Sequence, residues 1–351
     1  MTSTVLLASI EAAGKTALAS ALLKYLMGKG KKVGYFVPLE IKEQKSHKQE
    51  GIDLISDILG LGEECRAQKP IQISGIDLWN KLSGDSAELL EQIRSNFNRL
   101  SSGREFVVVE GLSGLSIDGA ATLACFKLSE ILKAPVIIMM RYVPGMDLRK
   151  LAKVKDELGE RLAGVIVNNM PQQNLARLYQ QMAVKFTQAG IRLVGSIAED
   201  RTLLGISVEE LARSLGGNIA VSRKNAGRQV SNVMLGAMSL DSGLGYFSRR
   251  NDKAVVISSE RSDIQLAALE TSTSCLVLAG NTPPLQAVLY AAERKGVPIV
   301  LVPRKTEDVV NGLGDAFGGS RFNNKEKFYK FQDLARSLDL TALYGASTPQ
   351  N

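Results

Sequence analysis

The stretch LLASIEAAGKTALASALLKYL, Leu6 to Leu26, joins an apolar run to a helix-periodic segment through Gly14-Lys15-Thr16. That tripeptide is the closing half of a phosphate-binding loop, G-x-x-x-x-G-K-[ST]. It stands directly between a strand and a helix, which is the context the motif requires. In such a loop the backbone N–H groups cradle phosphates and the helix N-terminus adds its positive dipole end. The lysine reaches the terminal phosphates and the hydroxyl ligates Mg²⁺. Ser9, however, holds the position of the first glycine, and Glu11 puts a carboxylate inside a loop meant for anions. The loop is damaged by its own standard. A lysine-bearing turn ahead of an ordinary helix is the competing reading.

From this stretch outward, strands alternate with helices to about residue 220, the pattern of a parallel α/β sheet. Strands are expected at Thr4–Ala8, Lys32–Phe36, Phe106–Glu110, Pro135–Met140, Gly164–Val167 and Arg192–Ser196. Helices are expected between them, the last at Val208–Leu215. The run REFVVVEGLSGLSIDG ends a buried-type strand on Glu110-Gly111. A carboxylate at such a strand end can hold Mg²⁺ directly or through water. Thr16 and Glu110 are thus the candidate metal ligands.

In order, the segments ASIEAAGKT, VGYFVPL, VVVEGLSGL, APVIIMMR, LAGVIVNNMP and LVGSIAEDRTL resemble the dethiobiotin-synthetase-like ATPase domain. That domain forms the N-terminal part of long bacterial phosphate acetyltransferases. The resemblance implies a P-loop NTPase-like fold over residues 1–220, Mg²⁺ at Glu110, and adenine contact by Asn168. A turn after a strand is the plain alternative for Asn168-Asn169. Dethiobiotin synthetases carry Lys-Pro after the second strand, where this chain has Val37-Pro38. Valine can neither hold an anion nor shift a proton, so dethiobiotin synthesis is not expected.

Residues 218–228 carry charges and small residues and read as a linker. A second α/β alternation follows. Within it VSNVMLGAMSLDSGLGYF, AVVISSERSDIQLAALET and CLVLAGNTPP resemble the DRTGG domain, over about residues 225–315. The family's G-D-R-[ST] turn stands here as Ser259-Glu260-Arg261-Ser262, followed by Asp263. Arg261 and Ser262, at a strand-to-helix junction, can bind a small anion. Arg261 can equally pair with Asp263 or Glu270. Residues 316–351 form a tail with an amphipathic helix, Lys325 to Leu338, carrying a Phe328/Phe331/Leu334 stripe.

Composition narrows the function. The 351 residues are 45% hydrophobic and 23% charged, as a folded two-domain chain should be. The net charge of +7 is dispersed and aromatics are only 5%, which argues against nucleic acid as a partner. No apolar run reaches the ~18 residues of a membrane span. The N-terminus lacks a basic n-region, so a cytoplasmic protein is expected. Cys65, Cys125 and Cys275 lack motif spacing and read as reduced core thiols. The single histidine, His47, cannot anchor a histidine-based metal site or catalytic triad.

The chain ends at Asn351, after one helix, where those acetyltransferases continue into their catalytic domain; phosphate acetyltransferase activity is therefore not expected. The favoured reading is an ATP-binding regulatory or scaffold protein of the phosphotransacetylase-associated family, with ATP and Mg²⁺ held by Ser9, Glu11, Gly14, Lys15, Thr16, Glu110 and Asn168. It senses nucleotide and signals to a protein partner. A homodimer through the C-terminal domain is expected, because its small sheet leaves Leu285–Leu289 and the phenylalanine stripe in need of cover; the plain alternative is that the terminal helix packs back on its own domain. The alternative is an ATP-dependent ligase acting on a small carboxylate or amine. A weaker one is a structural interaction module with a degenerate nucleotide site. Weak ATPase activity is compatible with the first two.

Overall fold

Strand β1, Ser3–Ser9, is buried from Thr4 onward. Such a strand must be covered on both faces, as parallel α/β sheets are. The computed structural model describes residues 2–43, 48–116, 119–237 and 240–345. In it β1 sits in a six-stranded sheet with β2 (Val33–Phe36), β3 (Phe106–Ser113), β4 (Val136–Arg141), β5 (Leu162–Met170) and β6 (Leu193–Ala198). The order is β2-β3-β1-β4-β5-β6 and every pair is parallel. Chain connections from β1 and β3 diverge to opposite sides, which opens a crevice at their C-terminal ends. Leu6, Ala8, Val107, Val109, Ile138 and Val165 form the core of one face.

The register between β1 and β3 slips by one residue. Leu7 pairs with Glu110, while Ser9 pairs with Ser113. A bulge of this kind re-aims side chains. The strand expected to end at Glu110 therefore runs on to Ser113. Gly111 permits the close approach, since a Cβ there would stand 3.2 Å from the Leu7 carbonyl oxygen.

Helix α1, Lys15–Gly28, is apolar almost all round, with Ala17, Leu18, Ala19, Ala21, Leu22, Leu23 and Leu26 buried. A helix without a polar face needs cover on both sides. The sheet supplies one cover and the helix Lys325–Ala335 the other. Phe328 and Phe331 are fully buried, Gln332 Nε2 donates to Ser20 Oγ at 3.2 Å, and the Lys24 ammonium lies 5.1 Å from the Tyr329 ring centre. The phenylalanine stripe is thus covered by this chain's own first helix. Compact unit one comprises Met1–Glu199 with Phe322–Asn351.

Unit two, Asp200–Arg321, holds a five-stranded sheet. Its strands are β7 (Asn218–Val221), β8 (Asn232–Leu235), β9 (Lys253–Ser258), β10 (Thr273–Ala279) and β11 (Ile299–Val302). The order is β7-β11-β10-β9-β8, parallel except for β7 against β11. Two expectations need correction here. Asn218–Val221 is an edge strand, whose alternating exposure makes it look like a linker. Val208–Leu215, read as the close of the first domain, packs Leu211 and Leu215 against Val277 and Val300 of the second sheet. Phe247, Ile264, Val288 and Ala292 fill the opposite face.

Candidate nucleotide site

Gly14 caps α1 with φ 96°, a left-handed conformation glycine adopts without strain. A Cβ there would also stand 3.0 Å from Asn168 Nδ2. The turn delivers Lys15 into the crevice, where only 4% of its surface is exposed. Its ammonium donates to Ser9 Oγ at 2.8 Å and to Ser113 Oγ. The slip in register is what sets those two hydroxyls side by side. Ser9, read as damage to the loop, is a ligand of the loop's lysine. Glu11 turns outward, exposed, and accepts from the backbone N–H of Arg141 at 3.1 Å.

Glu110 is 1% exposed and fully engaged. Thr16 Oγ1 donates to its Oε1 at 3.0 Å, the Lys48 ammonium contacts the same oxygen, and the Tyr35 hydroxyl donates to Oε2. Burial alone would raise this carboxyl, but Lys48 and Lys15 outweigh it and hold the group below its ordinary range. Burial, and then Glu110, push the Tyr35 phenol well above its usual value, so it stays a neutral donor. Burial and the neighbouring Lys48 pull Lys15 down to about 7, against the opposing pull of Glu110. Two ammonium groups around one carboxylate leave a surplus of positive charge in a buried place. An anion entering there would be compensated by that surplus.

Asn168 is buried beneath the loop, with Nδ2 donating to the Ala13 carbonyl at 2.8 Å and Oδ1 accepting from Asn169 N at 2.8 Å. It positions the loop. Val37 is buried, and its N–H donates to Gln68 Oε1 at 2.8 Å. His47 lies outside the described residues. Among the described residues no group of three or more His, Cys, Asp or Glu side chains converges on a metal position.

Lys48, Tyr35 and Ser113 are the residues of this candidate site that sequence reasoning missed. Tyr35 was the polar-tipped residue in an otherwise apolar strand, a usable signal. Lys48 lay in a charge-rich run without periodicity and gave none.

Arg261 and Ser262 belong to unit two and form a separate feature. Arg261 forks onto Asp263, with Nε to Oδ1 and Nη2 to Oδ2 both 3.0 Å. Ser262 opens the helix Ser262–Leu269. Of the readings open for Arg261, pairing with Asp263 is the one observed among the described contacts.

Comparison with known proteins agrees with this geometry. The model of the AAA domain family matches residues 3–206, more than half of the 351. The chain belongs to that family. The DRTGG domain matches residues 210–316. A phosphate acetyltransferase of Haemophilus influenzae is 22% identical over 297 residues, which is 76% of this chain and 40% of that protein. One of Pseudomonas aeruginosa is 23% identical over 331 residues, 86% of this chain and 45% of that protein. The chain spans less than half the length of both. An ATP-dependent dethiobiotin synthetase of Corynebacterium diphtheriae is 26% identical over 189 residues, 53% of this chain and 83% of that protein. Among the described residues no helix is long and apolar enough to cross a membrane.

Proposed function

We propose that this AAA domain binds ATP at Ser9–Thr16 and that the chain works as a nucleotide-responsive regulatory protein, passing its state to a protein partner. The carrying observation is the buried Lys15 ammonium at the N-terminus of a helix, held only by the hydroxyls of Ser9 and Ser113 among the contacts described. Hydroxyls give way to a phosphate at little cost, whereas a salt bridge would not. The fused DRTGG domain and the named kinship to phosphate acetyltransferases support regulation over independent catalysis.

ATP as the nucleotide is supported by a relative, alike over 189 residues, that is named as ATP-dependent. That kinship also favours a second reading, an ATP-dependent ligase acting on a small carboxylate or amine. Buried Val37 offers no group to assist dethiobiotin chemistry. Thr16 and Glu110 carry the hard oxygens Mg²⁺ prefers, but those oxygens are already hydrogen-bonded to each other. Lys48 already stands on the oxygen they share.

Unit two is the surface proposed for a second copy of the chain. Leu285 and Tyr290, 59% and 70% exposed, and Leu266 on the adjacent helix support this. Titration with ATP of the native chain and of Lys15→Ala tests the nucleotide reading. Product formation with candidate acids and amines separates ligase from regulator.

A further inference from the structure

We infer that Lys48 is a tethered counter-ion standing in the place of a divalent cation, so that this loop holds a nucleotide polyphosphate without a metal. The inference rests on the nucleotide reading above and deepens it. Thr16 Oγ1 and Glu110 Oε1, 3.0 Å apart, are the hard oxygens that would hold a metal, and the Lys48 ammonium contacts that same Oε1. The remaining carboxylate oxygen accepts from Tyr35. Glu110 therefore has no oxygen left without a donor.

The placement of Lys48 is built into the backbone. It opens helix α2, Lys48–Leu59, and Gly51 lies three residues on, along the same side of that helix. A Cβ at Gly51 would stand 2.9 Å from Thr16 Cγ2, so only glycine lets α2 come this near the loop. The Lys48 side chain is 19% exposed. An ammonium carries three donors, so one on Glu110 leaves others to meet phosphate oxygens. Lysine serves as a compact point charge, the property shared with a metal ion. A divalent cation would have to evict this group and leave it half-buried without its carboxylate, a costly exchange.

The test is ATP binding by the full-length chain, by calorimetry, in EDTA and in Mg²⁺, for the native protein and Lys48→Ala. The native affinity is expected to agree within about twofold between the two buffers. Lys48→Ala is expected to lose about tenfold or more in EDTA and to recover in Mg²⁺. Native binding that collapses on chelation overturns the inference and leaves the nucleotide reading intact. Lys48→Ala binding ATP as well as native in EDTA overturns it likewise. No ATP binding in either buffer removes both. Should Lys48→Ala not fold, the native comparison alone decides. Paramagnetic resonance of Mn²⁺ without nucleotide adds an independent readout: the ion should stay free with native protein and bind to Lys48→Ala.

Discussion

The Lys15 ammonium donates to Ser9 Oγ at 2.8 Å, so the residue that replaces the loop's first glycine is the one that seats its lysine. Seating a cation among hydroxyls rather than carboxylates leaves it poorly compensated, and burial draws its pKa down to about 7. Phosphate binding requires the charged form. Below about pH 7 the free protein is already protonated there, and Lys15 adds no pH dependence to ATP affinity. Above it, binding must recapture a proton, so affinity should fall by up to about tenfold per pH unit until the raised pKa of the complex is reached. Calorimetry at about pH 8 in buffers of different ionisation enthalpy should show net proton uptake on ATP binding, and Lys15→Ala should abolish it. Equal observed heats in every buffer would show that Lys15 is not recharged on binding.

Lys253 is the second buried ammonium of interest, donating to Thr271 Oγ1 at 2.9 Å and to the Ser272 carbonyl at 2.6 Å. Burial lowers it to about 8, against about 10.4 in an unfolded chain. Between those values the unfolded state binds the extra proton, so stability should rise with pH. The burial penalty is therefore full below about pH 8 and relieved above it. Denaturant unfolding of unit two should show a gain of order 1–3 kcal/mol across that window, and Lys253→Gln should flatten the slope.

Phe328 closes the outer face of α1 with no exposed surface. Phe328→Ala should cost unit one about 3–5 kcal/mol, the range for emptying a buried aromatic site. A thermal melt of the full chain would measure it. A loss under about 1 kcal/mol would show that the terminal helix is not part of that core.

Tyr290 and Leu285 should lie at the contact between two copies of the chain. Light scattering of the native protein at tens of micromolar should give a dimer, and the pair Leu285→Glu and Tyr290→Glu should give a folded monomer. A native monomer at that concentration would remove the contact.

How much of this could be read from the chain alone depended on whether the signal was local. Gly14, Lys15, Thr16 and Glu110 were legible because motif and strand end are each contiguous. Ser113 was not, since its meeting with Ser9 depends on a slip in register between strands about a hundred residues apart in sequence. Lys48 was hidden because it stands at the charged start of Lys48–Leu59, and its contact with Glu110 joins residues 62 apart in sequence, which no local pattern reports. The terminal amphipathic helix was legible as a helix, but its partner was not. The run Ala17–Leu23, apolar but for Ser20, left α1 in need of a second cover. The border between units escaped because Val208–Leu215 has the same amphipathic pattern whichever sheet it serves.

The central claim is that a nucleotide phosphate displaces the hydroxyls on Lys15. Calorimetric titration of ATP into the full-length chain and into Lys15→Ala measures it directly. The native protein should give a saturable heat, and the variant should bind about tenfold or more weakly, matching the ~1.5–3 kcal/mol of a charge-assisted hydrogen bond. Equal affinity in the two proteins, or a native chain that gives no saturable heat, would contradict the account.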